Sequence, residues 1–295
     1  MALIGCVESS EMALRTLLEL GSDAEVVGVV TKERSLANAD FVDLAPLCDA
    51  HEIPRHYEAN GRQADSLSFL QDRRPDVVYC IGWSHLLNRD ALSVAPLGTI
   101  GFHPAALPQN RGRHPIIWAL ALGLASTAST FFQMDEGADS GPILSQCPVP
   151  IWPEDDAGSL YARILGTARE QIRDVTRDLA HGTAVLQPQD HSQATYWRKR
   201  TRRDGVIDWR MPASDIHNLV RALAPPYPGA EFEWRDTTIV VARSRVHRMV
   251  VPSNVEPGKV LDVKERTLLV KCGGGSAVWI EPAGESGTPQ IGEYL

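Results

Sequence analysis

The chain has 295 residues with a formal net charge of −8; 43% of the residues are hydrophobic and 22% charged. This is ordinary composition for a soluble globular protein with room for about two domains and a sizeable core. A field of that sign argues against nucleic acid coating the whole surface and leaves only a local basic patch open to it. No apolar run approaches the roughly 18 residues of a membrane span, and no basic leader or cleavage site precedes the first strand-like segment. A secreted or membrane-spanning form is therefore not expected. The five cysteines, Cys6, Cys48, Cys80, Cys147 and Cys272, form no CxxC pair, which points to reduced thiols and a cytoplasmic setting.

Residues 2–7 (ALIGCV) form a continuous apolar run, as expected of a strand buried on both faces. Ser9 and Ser10 are candidate caps for a helix over 11–20 that ends at Gly21. A second buried strand is predicted over 25–31, a helix over 39–51, a short strand over 53–57 and a helix over 63–72. Residues 76–81 (DVVYCI) read as another buried strand. A turn at Gly82-Trp83-Ser84 and a helix over 89–94 follow it. A strand over 99–103, a helix over 115–122 and a strand over 129–134 complete the alternation. A long amphipathic helix spans 157–181. This β/α alternation predicts an α/β fold with a Rossmann-like, mostly parallel sheet. Ligands on such sheets bind beyond the C-terminal strand ends. Gly82 to Ser84, residues 103–108 and residues 135–141 are the segments expected there.

The polar stretch 182–195 reads as a linker. A helix over 212–223 follows, and short alternating strands with glycine turns from residue 230 onward predict a small β-rich domain resembling an OB-like barrel. The expected domains are 1–190 and 191–295. The first βα turn, Val7 to Glu11, has no G-x-G-x-x-G and carries an acid where a pyrophosphate would approach, which disfavours a nicotinamide or flavin dinucleotide.

The stretch 101–146 concentrates the chemistry. His103 precedes Pro104, which holds it extended at a strand end. It reads either as an acid/base or as a histidine satisfied by a backbone carbonyl. Asp139 lies in a turn with Asp135, Glu136, Gly137 and Gly141. Such acids can orient a histidine or shift its titration, and an ordinary solvated turn is the alternative. Arg111 and Arg113 flank Gly112 beside Asn110 and His114, either as an anion-binding loop or as a solvated one. Trp118 reads as core. No HxH, HExxH or CxxC is present in this stretch, so no metal is expected.

In order, these residues are His103-Pro104, Leu107-Pro108, Arg111-Gly112, Pro115, Trp118-Ala119 and Met134-Asp135-x-Gly137-x-Asp139-x-Gly141-x-Ile143. This pattern resembles the formyltransferases that use 10-formyltetrahydrofolate. Residues 202–209 (RRDGVIDW), Ile216-His217, Val220-Arg221-Ala222 and Pro228-Gly229-Ala230 are similar to the C-terminal domain of the methionyl-tRNA and amino-sugar members. The resemblance implies a catalytic set of Asn, His and Asp. His103 and Asp139 match the last two, and Gly101 stands where the family has the Asn, two residues before the His. Loss of such an oxyanion donor typically costs about 10²–10³ in rate. Three outcomes are open. Asn110, His114, Ser129 or a backbone N–H substitutes; or the enzyme is slow; or the chain is an impaired homologue that binds folate or a sugar nucleotide.

The resemblance further implies that Gly82, Trp83, Ser84, Leu86, Leu87, Asp135, Gly137 and Asp139 line the folate site. It also implies that Pro104, Asn110, Arg111, Gly112 and Arg113 border the amine substrate, and that the protein is a homodimer. Residues 31–44 are short and nearly charge-balanced, unlike the basic insertion of the tRNA members. A nucleotide-linked amino sugar is therefore the preferred acceptor, and methionyl-tRNA is the alternative, supported by the basic cluster 198–203.

Overall fold

The computed structural model describes residues 1–21, 24–36, 38–59, 63–284 and 289–295. The chain forms two compact units. One comprises Met1–Pro115, Thr127–Pro150 and Ala162–Trp197; the other comprises Ile116–Ser126, Ile151–Tyr161 and Arg198–Leu295.

In chain order the first unit contains β1 (Ala2–Ile4), α1 (Glu8–Glu19), β2 (Gly28–Thr31), α2 (Ala45–Ala50), β3 (Arg55–Tyr57), α3 (Gln63–Arg73), β4 (Val78–Cys80), α4 (Arg89–Leu92), β5 (Thr99–His103) and β6 (Arg111–Gly112). Helix α5 (Pro115–Ala121) and strand β7 (Ser126–Gln133) straddle the unit boundaries. Strand β8 (Ile143–Pro150), most of α6 (Ala157–His181) and β9 (Tyr196–Trp197) complete the unit. Seven strands form one sheet in the order β3-β2-β1-β4-β5-β7-β8. The pairings from β3 to β5 are parallel, whereas β5 and β7 are antiparallel. The mostly parallel sheet expected from the β/α alternation is thus present.

Its apolar runs are continuous because alternate residues feed different cores. Leu3, Val29, Tyr79, Ile81, Ile100 and Phe131 pack with Leu14 and Leu17 of α1 and Ile172 and Val175 of α6. Ala2, Ile4, Val30, Val78 and Cys80 pack with Leu70 of α3 and Ala91 and Leu92 of α4.

Two local expectations are corrected. Helix α1 begins at Glu8, so Ser9 and Ser10 lie inside its first turn rather than capping it. Ser10 still serves the helix start, because its Oγ accepts the Val7 N–H at 3.1 Å and donates to the Ile81 carbonyl at 2.6 Å. The helix predicted over 39–51 shrinks to Ala45–Ala50. Asp43 Oδ1 accepts the Ala45 N–H at 2.9 Å, which sets the start of the helix there, and Pro46 fits its first turn. Ala37, within the charge-balanced segment 31–44, lies outside the described residues.

The second unit holds α7 (Ala213–Ala222) and an antiparallel sheet of β10 (Ala230–Trp234), β11 (Thr237–Val246), β12 (Val260–Lys264), β13 (Thr267–Lys271) and β14 (Ala277–Pro282). The five strands run in the order β10-β11-β14-β13-β12, the β-rich C-terminal part that the alternating segments predicted. Among the described residues no helix is long and apolar enough to cross a membrane.

Burial pushes the thiols of Cys6 and Cys48 up to about 11 and those of Cys80 and Cys272 up to about 12, leaving only Cys147 partly exposed. A thiol reagent at neutral pH should therefore label Cys147 alone in the native protein and the others only on unfolding. Peptide mapping by mass spectrometry checks this, and rapid native labelling at Cys80 would contradict the packing of β4.

Candidate active site

Strand β5 (TIGFH) places Ile100 and Phe102 on one face and Gly101 and His103 on the other. The first pair is committed to the core: the Phe102 and Phe131 rings lie 5.0 Å apart. On the second face, register sets Gly101 opposite Phe132 and His103 opposite Thr130.

His103 is buried, 4% exposed. Its Nε2 lies 2.8 Å from the Asn110 carbonyl. A carbonyl only accepts, so Nε2 carries a proton and Nδ1 is the nitrogen left for chemistry. Nδ1 faces Asp139 Oδ2 at 3.6 Å. One nitrogen is thus held by the backbone and the other is turned toward Asp139.

Asp139 reaches this position by an indirect route. Because β7 is antiparallel, its end pairs with the start of β5, and the Met134 N–H donates to the Thr99 carbonyl. The acidic turn therefore leaves the sheet at the end away from His103, not at the rim expected for 135–141. It folds back to deliver Asp139. Asp135 Oδ1 organises the turn by accepting from the Gly137 N–H at 3.0 Å and from Ser140 Oγ at 2.6 Å. Asp139 has φ 52°, in the left-handed region. Its Oδ2 accepts the Gly112 N–H at 2.8 Å. Gly141 is a glycine for lack of space, since a Cβ there would collide with the Gln133 carbonyl.

At Gly101 a Cβ would stand 2.8 Å from Phe132 Cζ and 2.8 Å from Met134 Cγ. The space above the glycine is thus filled by an aromatic ring and a thioether. Ser129 offers no replacement donor: it alternates with Thr130 and so lies on the face covered by α6, where Gln171 donates to its carbonyl.

Arg111, expected as an anion contact, is 1% exposed. Its Nε and Nη2 donate to Gln189 Oε1 at 3.2 and 2.6 Å, Nη1 donates to Tyr196 Oη at 2.9 Å, and Nη2 lies 3.3 Å from His191 Nδ1. The guanidinium is a buried clamp and is not presented to a ligand. Arg113 is exposed and, among the described residues, its side chain donates to the Ser84 carbonyl, at 3.2 Å.

Stretch 182–195 is likewise more than a linker. Gln187 and Ile143 exchange backbone hydrogen bonds at 2.8 Å, and β9 pairs with β6 in parallel. Thr195 Oγ1 accepts the Asn110 N–H at 2.8 Å. Gln189 and Thr195 carry no hydrophobic or motif signal, which is why composition alone reads the segment as linker.

Of the remaining expected residues, Trp83 presents an indole N–H that is buried and has no acceptor among the described residues. Gly82 adopts φ 68° against Val7 and Ser10. Ser84 accepts from Asn38 Nδ2 at 3.2 Å. Leu86 is exposed, whereas Leu87 packs in the core beside α4 instead of lining a slot. Pro104 begins the turn after β5, its carbonyl held by Thr127 Oγ1 at 3.1 Å.

A buried histidine on the sheet and a backbone-anchored carboxylate on the returning loop thus face each other, an arrangement suited to moving a proton. The chain belongs to the formyl transferase family: the "Formyl transferase" profile matches residues 5–176 and the "Formyl transferase, C-terminal domain" profile matches residues 199–290. It is an enzyme of formyl transfer. It is 33% identical over 289 residues to a methionyl-tRNA formyltransferase of Roseiflexus castenholzii, covering 95% of this chain and 91% of that protein. Two solved structures share the fold at 14% identity. One is the sugar 3-N-formyl transferase WlaRD, at TM-score 0.72 over 97% of this chain and 98% of that one. The other is an N-formyltransferase from Helicobacter canadensis, at TM-score 0.74 over 95% and 98%.

The packing above Gly101 gives a direct test. Gly101→Asn should cost about 1–3 kcal/mol of stability through overpacking. Phe132→Leu in the same chain should recover part of that cost, a coupling of about 0.5–3 kcal/mol in a double-mutant cycle read by denaturant unfolding. Strict additivity would mean that the two positions do not share the space.

Proposed function

We propose that this formyltransferase moves the formyl group of 10-formyltetrahydrofolate onto the primary amine of a nucleotide-linked amino sugar. The observation that carries the choice of acceptor is the state of the basic cluster 198–203. Arg198 pairs with Asp204, and Arg200 donates to the Asp204 carbonyl. Both guanidiniums lie over the Trp118 ring, at 5.3 and 4.7 Å. Arg202 pairs with Glu231 at 2.5 Å and with Glu233 at 3.8 Å. Arg198 and Arg202 are thus charge-paired within the protein, and such charges attract a polyanion weakly. The solved relatives support the same direction. The WlaRD structure was obtained in the presence of dTDP and 5-N-formyl-THF, and the H. canadensis structure holds folinic acid and dTDP-3-aminofucose.

In this reading the neutral amine attacks the formyl carbon and the carbonyl π pair moves onto oxygen. The tetrahedral adduct then collapses by breaking the bond to N10. The amine sheds one proton and N10 gains one. His103 Nδ1 and Asp139 are the relay between them, with Nε2–H held on Asn110. Gly101 contributes no side-chain donor, and in this reading a protonated Nδ1–H faces the oxyanion in its place. The orphan Trp83 N–H suits a carbonyl of the folate ring, and Arg113 suits an acceptor phosphate.

A second reading, methionyl-tRNA as acceptor, is favoured by a groove of about 540 Å³ in the second unit. Arg243, Arg245, Arg248 and Lys264 line it, along with Glu281. Its arginines, unlike Arg198 and Arg202, form no ion pair among the described residues. The Roseiflexus relative, named for that reaction, adds to it.

Initial rates with 10-formyltetrahydrofolate and either dTDP-3-aminofucose or methionyl-tRNA separate the readings. The amino sugar should be preferred by at least about 10² in kcat/KM, and the reverse order establishes the second reading. His103→Ala and Asp139→Asn should each lower kcat by about 10²–10⁴, the usual contribution of a positioned acid or base. Full activity of either variant would remove that residue from the mechanism.

A further inference from the structure

We infer that Gln189 is a positioning residue for formyl transfer, setting Asp139 against His103 through the backbone of the folded-back loop. The inference rests on the reading that Asp139 takes part in the reaction. Gln189 is 7% exposed. Its Nε2 donates to the carbonyl of Asp139 at 3.0 Å and to that of Gly141 at 2.6 Å. Its Oε1 accepts both Arg111 bonds, at 3.2 and 2.6 Å. The orientation of the amide is fixed by chemistry, because a guanidinium only donates and a peptide carbonyl only accepts. Both amide protons and the amide oxygen are therefore engaged, and a flipped amide would face donor to donor and acceptor to acceptor.

The placement matters because of what the loop must overcome. Asp139 holds a left-handed φ of 52° without being a glycine. Such a conformation persists where neighbouring contacts over-determine it. Two contacts do so. The Gly112 N–H holds the carboxylate at 2.8 Å, and Gln189 holds the carbonyl of the same residue. Gly112 and Arg111 are adjacent in β6, and Asn110, one residue before, accepts the His103 proton. One short segment therefore grips both reacting side chains, and Gln189 is the side chain that fastens the acid's loop to it.

Glutamate at this position divides the two halves of the contact. Gln189→Glu keeps oxygens for Arg111, with charge assistance, but sets a carboxylate against two carbonyls where two donors had been. Kinetics use 10-formyltetrahydrofolate with dTDP-3-aminofucose or methionyl-tRNA, whichever turns over. We expect kcat to fall by about 10², the scale of a misplacement near 1 Å, with KM for the formyl donor within about threefold and the melting temperature not lowered. Gln189→Asn, which keeps the amide but is one methylene short, should lose kcat in the same sense. Independently of any acceptor, hydrogen exchange of the amides over 135–141 should rise at least about tenfold in Gln189→Glu, while β1, β4 and β5 keep their protection. Unchanged exchange in that loop overturns the proposal. So does wild-type kcat in Gln189→Glu alongside an inactive Asp139→Asn. Wild-type activity in Asp139→Asn instead sinks the catalytic reading beneath it.

Discussion

The hydrogen bond from His103 Nε2 to the Asn110 carbonyl gives the site its polarity. It commits one imidazole nitrogen to the backbone at 2.8 Å and turns the other toward Asp139. A histidine with both nitrogens free could exchange tautomers and present either proton state to a substrate; here the neutral ring has one arrangement. The bond in turn requires the loop after β5 to hold Asn110 at φ 63°, and the Asn110 N–H is tethered to Thr195. The setting of His103 therefore depends on chain more than eighty residues downstream, joined to it through the pairing of β6 with β9.

Much of the fold was legible because its signals are local. Continuous apolar runs marked β1, β2 and β4, and the alternation after residue 230 marked β10 to β14. The limits of β5 and α6 could be read from where the polar pattern changes. The helix predicted over 39–51 failed because Asp43 and Pro46 decide its start, and a helical period carries no information about a cap that arrives late. Strands β6 and β9 are two residues long, and no periodicity can reveal them. The roles of Gln189 and Thr195 were invisible for a related reason. Polar residues in an irregular segment look like solvated chain until the topology shows that their partners are buried carbonyls and a buried guanidinium.

The site residues divide along the same line. His103 and Asp139 are paired in the sequence only by the family resemblance, and in the fold they face each other at 3.6 Å. Arg111, expected at an anion by its type, and Leu87, expected at the folate by the family resemblance, both belong to the interior, one as a clamp and the other packed beside α4. Gly101 is the more instructive position. In sequence it is a missing amide; in the fold it is a place already occupied, because Phe132 on the neighbouring strand fills the volume an asparagine would take. The glycine and the aromatic ring opposite it share one space.

The antiparallel course of β7 has a further consequence. A carboxylate carried directly on a strand end can be lost only by disrupting the sheet. Here the carboxylate rides on a loop that returns from the far end of β5 and is secured by a handful of hydrogen bonds, so the loop and the sheet need not open together. Loss of the Asp139–His103 contact and opening of the sheet are then separable events.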